Sequence, residues 1–226
     1  MTLLAPSIAA QNRTPESAKE GRFRWGPAVR QSGMLLGIQH SYRIGLQPST
    51  REELRGPFIR DYFTSVRGLS GWDDGDSTLA NYVGHPMAGA IAGFIQIQND
   101  PSGMTQEFGS SRQYWRSRLR ALAWSAAVST QYELGPLGEA AIGNVGKTPG
   151  TKGAVDLVIT PVLGLAWLIT EDVLDRRVVL PLEKRLQSPM ARLMIRSWLN
   201  PSRSFTNALR FKTPWHRDTR PGVSRQ

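Results

Sequence analysis

Between Leu79 and Gln98 the chain runs for 20 residues without a single Lys, Arg, Asp or Glu. As a helix, that length reaches about 30 Å, enough to cross a bilayer. Gly89 and Gly93 form a Gly-xxx-Gly step inside it, which lets a second helix approach closely in lipid or in a buried soluble core. The residues just before it, WDDGDS at 72–77, supply Asp76, Ser77 or Thr78 as a helix cap, with carboxylates at the positive helix end.

Two further long segments follow. Residues 114–134, YWRSRLRALAWSAAVSTQYEL, read as a helix that Gly135-Pro136 terminates. Arg116, Arg118 and Arg120 crowd its start, where they oppose the helix dipole and are better used snorkelling toward phosphates. Residues 154–171, AVDLVITPVLGLAWLITE, are apolar, and the Pro in their middle favours a kinked helix over a central strand. A short helix is expected over 137–143 and another over 32–46. The charged stretch 172–186 continues the third segment as an amphipathic element. No repeat is seen.

The expected architecture is therefore all-α: a membrane-associated bundle of three or four helices packed through Gly and Ala. Residues 31–186 form it. Residues 1–30 read as a signal-peptide remnant or flexible lead-in, because a short apolar run is followed by small residues as at a cleavage site. Residues 187–226 read as a basic tail, with seven Arg and one Lys against one Asp. That tail holds most of the net charge of +10. It suits anionic lipid headgroups, as do Arg116, Arg118 and Arg120. No nucleic-acid motif accompanies the charge, so no nucleic acid is expected. A protein partner or a homo-oligomer is the further expectation.

Several chemistries are excluded or disfavoured. The chain has no Cys, so disulfides, zinc–thiolate sites and cysteine nucleophiles are out. Neither GxSxG nor HExxH occurs. Three scattered His offer no metal motif, WDDGDS does not match an EF-hand, and no cofactor is expected. Residues 141–148, AIGNVGKT, fit a relaxed phosphate loop. The run before it is helical in character and Pro149 follows at once, so nucleotide binding is a weak alternative.

What remains is a set of polar residues stranded in apolar segments: Asn81 and His85 in the first, Glu133 at the end of the second, Glu139 just beyond, and Asp156 and Thr160 in the third. On helices, Asn81, His85, Gly89 and Gly93 share one stripe, and Asp156, Thr160 and Gly164 another. Ionisable groups in an apolar setting are expensive and usually pair. His85, Glu133, Glu139 and Asp156 are the candidate catalytic set, with Asn81 and Thr160 as binding residues. A His base steadied by a carboxylate would be one use. A buried hydrogen-bond network that fixes helix register would be the other.

The order of these residues resembles a family of uncharacterised bacterial envelope proteins: Asn-x3-His-Pro, a helix closing on Glu, Gly-x-x-Glu, then Asp-Leu-x-x-Thr-Pro-x-x-Gly. The matching positions are Asn81, His85, Pro86, Glu133, Glu139, Asp156, Thr160, Pro161 and Gly164, within residues 72–180. More distantly it is similar to the YfiM-like lipoproteins and the VanZ-like membrane proteins. The resemblance implies a helical protein of the bacterial cell envelope and brings no reaction with it. The leading expectation is a structural or interaction role at a membrane. The alternative is a membrane-embedded enzyme acting on a lipid or lipid-linked substrate.

Overall fold

The structure, a computed structural model, describes residues 21–142, 145–147 and 149–220. Residues 1–20, which hold the expected signal remnant, lie outside it. So do 143, 144 and 148 of the Gly-rich loop and the last six residues of the chain.

Every regular element among the described residues is helical. Helix α1 spans Trp25–Leu46, α2 Pro48–Glu53 and α3 Phe58–Gly68. A π-helical turn, Ala80–Gly84, leads into α4, His85–Asn99. Next come α5, Arg112–Leu134, and α6, Val155–Leu174. A second π-helical turn, Asp175–Val179, joins α6 to α7, Leu180–Arg185, and α8 (Pro189–Trp198) and α9 (Pro201–Leu209) follow.

Helix α4 is the axis of the bundle. Every residue from Gly89 to Asn99 is buried. Phe94, Ala90 and Ile97 pack with Ala121 of α5 and Leu168 of α6. Ile91, Ala92 and Ile95 pack the other way, against Ala28 and Leu35 of α1 and Leu209 of α9. Complete burial of a side chain such as Ile95 contributes about 1.5–3 kcal/mol. The absence of charge between Gly89 and Gln98 thus reflects burial in protein. From Gly89 onward the segment expected to cross a bilayer is enclosed by neighbouring helices. Among the described residues one helical run, Val155–Arg185, is long and apolar enough to cross a membrane by length and composition.

The glycines make the enclosure possible. A Cβ on Gly89 would collide with the carbonyl of Thr160, and one on Gly164 with the backbone at Gly89. A Cβ on Gly93 would press on Leu168. These contacts ascend together in both chains, so α4 and α6 run parallel. Helix α5 runs antiparallel to α6: Ser129 bonds the carbonyl of Asp156, while Arg118 bonds Asp172.

Pro86 starts no new helix. The amide of His85 reaches back five residues to the carbonyl of Ala80, and this wider turn removes the clash that a proline ring makes with a carbonyl four residues back. Ser111 caps α5 by accepting the amide of Tyr114 at 3.1 Å. The short helix expected over 137–143 is replaced by turns through the described residues to Ile142. After Gly135 the chain doubles back, and the amides of Glu139 and Ala140 bond the carbonyls of Tyr132 and Glu133, both at 2.8 Å. Those carbonyls end α5 with no partner of their own, and folding back satisfies them.

The stretch read as a basic tail is part of the body as far as Arg220. Four of its arginines meet carboxylates of α6, the second π-helical turn and α7. Arg203 pairs with Asp172, Arg217 and Arg220 with Asp175, and Arg196 and Arg220 with Glu183. Glu171 accepts the amides of Ser202 and Arg203 at the start of α9, at 2.9 and 3.1 Å. Burial by itself would raise the Asp175 carboxyl, but Arg203, Arg217 and Arg220 outweigh it and hold the group below its ordinary range.

Candidate functional site

The N-terminal ends of α4 and α6 meet beneath the loop that carries WDDGDS. This loop is tied to the segment before α6: Ser70 donates to the carbonyl of Lys152 at 2.7 Å, and Val155 to that of Trp72 at 3.1 Å. Asp73 and Asp74 turn the loop by accepting the amides of Gly75 and Asp76 at 3.2 and 3.1 Å. Ser77 then caps the coming helix through the amide of Ala80. The cap expected from the sequence is present, and with Ser77 in that role Asp74 and Asp76 are not needed for it.

His85 sits at the centre. Its Nε2 lies 3.2 Å from Oδ2 of Asp156, and its Nδ1 lies 3.3 Å from the hydroxyl of Thr160. A neutral ring donating from Nε2 and accepting at Nδ1 satisfies both contacts. Asn81, one turn earlier, donates to Asp74 at 2.9 Å. Ligand-type atoms of Asp76, His85 and Asp156 all lie within 4.8 Å of one another. Glu133, at the end of α5, is 4 % exposed and closes the inner wall. An enclosed pocket of about 10 Å³, the size of one water, touches His85, Thr160, Ser129 and Glu133 together. On the outer side an open cleft of about 690 Å³ is lined by Asp74, Asp76, Glu133, Asp156, Glu53 and Arg43.

The electrostatics are unusual. Burial pushes the Glu133 carboxyl up to about 8, with the neighbouring Glu139 adding to the rise. Burial, then Glu133 and Asp74, push Asp156 up to about 9. Burial lowers His85, against the pull of Asp76 and Asp74. One oxygen each of Glu133 and Asp156 and the amide oxygen of Asn81 are buried without a hydrogen-bond partner.

Glu139 belongs to a different group. It is fully buried but pairs with His40 at 3.4 Å and Arg43 at 3.3 Å, both on α1. The His40 ring lies against Tyr132. Of the expected set, the fold therefore gathers Asn81, His85, Asp156 and Thr160, brings Glu133 to their edge, and gives Glu139 its own partners. Asp74, Arg43 and His40 were not assigned to the site from the sequence, and Asp76 was expected only as a helix cap. The available signal was three Asp where one cap suffices, and a His and an Arg three residues apart in a mostly apolar helix.

The other residues named from the sequence fall elsewhere. Arg118 is 1 % exposed and bonds Asp172 through Nε at 2.8 Å, so it points inward. Arg116 is exposed, and Arg120 pairs with Asp100 at 2.9 Å. Lys147 is held by Glu53 at 2.6 Å and Asp61 at 3.0 Å, and no helix follows it before Val155 among the described residues. Comparison of the chain with family models, with curated proteins and with solved structures gave no match.

Proposed function

We propose that the protein is an enzyme seated on a membrane of the cell envelope, with His85, Glu133 and Asp156 as an acid–base centre acting on a lipid or lipid-linked substrate bound in the cleft. The observation that carries this reading is the pair of unpartnered, buried carboxyl oxygens on Glu133 and Asp156 at the wall of an open cleft. A network kept only for stability satisfies its members, because each orphaned buried group costs about 1–3 kcal/mol. Glu139 differs in having two basic side chains, His40 and Arg43, within 3.4 and 3.3 Å.

The membrane part of the reading is supported by exposed apolar residues on the elements that carry the site. Leu79, Tyr82, Val83 and Met87 are exposed on the turn and helix that carry Asn81 and His85. Val158 and Val162 are exposed on the helix that carries Asp156 and Thr160, and Leu46 is exposed on the cleft itself. An apolar rim beside a polar centre suits a substrate with an acyl chain and a polar head. The resemblance of residues 72–180 to envelope proteins supports the location.

Incubating the purified protein with a total lipid extract of bacterial envelopes tests the reading, with mass spectrometry to find the species consumed. Turnover that Glu133→Gln abolishes while melting is not lowered is the expected result. A full survey without a consumed species overturns it. A structural role at the membrane is the second reading, favoured by the close Gly89–Gly164 packing that the His85–Thr160 contact accompanies. On that reading His85→Ala lowers stability, and no substrate is consumed by any form.

A further inference from the structure

Five carboxylates, Glu53, Asp74, Asp76, Glu133 and Asp156, line one cleft, and of these Glu53 is paired with Lys147. The nearest guanidinium, that of Arg43, is committed to Glu139. Carboxylates brought together in a partly dry setting repel unless protons or a cation compensate them. The His85 ring lines the small pocket behind the cleft, and its nitrogen lies within 4.8 Å of carboxylate oxygens of Asp76 and Asp156. We propose that Asp76, His85 and Asp156 hold a divalent first-row cation, zinc or manganese, at the floor of the cleft. This rests on the reading of the cleft as the working site.

Three separate features converge on that assignment. The first is spacing. Nε2 of His85 and Oδ2 of Asp156 stand 3.2 Å apart. Two ligands on one tetrahedral ion, at bonds of about 2.0–2.1 Å, stand about 3.3 Å apart. The second is the orphaned acceptor atoms. Oδ1 of Asp156 and Oε1 of Glu133 lack partners, and their residues are 6 % and 4 % exposed. Lone pairs left bare inside a cleft point to a ligand that brings positive charge. The third is donor chemistry. One imidazole with two carboxylates suits a borderline ion better than magnesium or calcium, which take oxygen alone.

Three protein ligands leave a coordination position open toward the cleft, as in catalytic rather than structural sites. Thr160 holds the far nitrogen of the ring at 3.3 Å, which is the second contact a ligating His normally makes. The ion would neutralise the two aspartates and polarise an oxygen of the bound substrate, such as a phosphate or ester oxygen of a lipid head.

Titration calorimetry on the chelator-stripped, full-length protein with zinc chloride, manganese chloride and magnesium chloride tests the site. The expected result is one zinc or manganese ion per chain, bound about tenfold or more tightly than magnesium. Asp76→Asn and His85→Gln are expected to weaken that binding by about tenfold or more, as loss of a contact to the metal does. Asp73→Asn, on the same loop but bonded to its own turn, is expected to leave it unchanged. If His85→Gln does not fold, Asp76→Asn decides, because Asp76 lies on a half-exposed loop outside the core. Failure to bind either ion, or binding that both variants retain, overturns the proposal. Lipid turnover by metal-free protein would overturn the cation while sparing the enzyme. A bound ion in a protein that consumes no lipid would do the reverse.

Discussion

Glu133 and Glu139 lie six residues apart and are both buried, yet their surroundings set them to different tasks. Glu139 has Arg43 and His40 beside it. Burial lifts the Glu133 carboxyl to about 8, with Glu139 adding to the rise. A folded-state value above the unfolded one means that the folded protein binds the extra proton. That stability is complete below about pH 4.5 and is lost as pH rises through about 8. In the metal-free protein we therefore expect the melting temperature to fall by several degrees between about pH 6 and 9, with Asp156, lifted to about 9, contributing over the same interval; Glu133→Gln is expected to remove part of that slope, and Glu133→Gln with Asp156→Asn most of it. A wild-type melting temperature that rises over the interval would contradict the assignment. Glu133, His85 and Asp156 were legible in the sequence because a polar group stranded among apolar residues must find company. Asp74 and Asp76 were not, because an acid before a helix already has a sufficient role as a cap. Which of several acids turns inward is decided by the loop at 150–155, far away in the chain.

At the scale of the helices, the contact of α4 with α6 depends on missing side chains. Gly89→Ala puts a methyl group into the Thr160 carbonyl, which belongs to a helix backbone and cannot rotate away. We expect a loss of about 1–3 kcal/mol or more in urea unfolding. Gly84→Ala is the matched control: its Cβ meets only one atom, at 3.9 Å, and the change is expected to be neutral or stabilising by up to about 1 kcal/mol. Arg118 joins α5 to α6 by another means, a buried pair with Asp172. Arg118→Met leaves that carboxylate with Arg203 and Tyr114, and a loss of about 3 kcal/mol in the same assay is expected. The Gly-xxx-Gly step and the lengths of α4, α5 and α6 could be read from the sequence. The segment 137–142 could not. Its residues favour a helix locally, but the unpaired carbonyls closing α5 bind it first.

Across the whole molecule, the formal charge of +10 overstates what is offered to a partner. Arg118, Arg196, Arg203, Arg217 and Arg220 are spent on internal carboxylates. The tail looked basic because sequence alone does not say which arginines already have partners. Attachment to a membrane should then depend on the apolar rim more than on charge. In co-sedimentation with anionic vesicles, salt raised to about 0.5 M, where the Debye length is about 4 Å, is expected to weaken binding only modestly. The double change Leu79→Asp and Val83→Asp is expected to abolish it, and retention of binding by that variant would remove the rim from the account. The parallel course of α4 and α6 has a consequence of its own. Both helices turn their amide ends, each worth about half a positive charge, toward the acidic cleft. Their carbonyl ends, with the opposite sign, point toward the half of the body where the arginines gather. The bundle is polarised along its length, like a battery with its positive terminal under the cleft. Had α6 run the other way, carboxylates in the cleft would sit against a negative pole, at a cost of about 0.3–1 kcal/mol each.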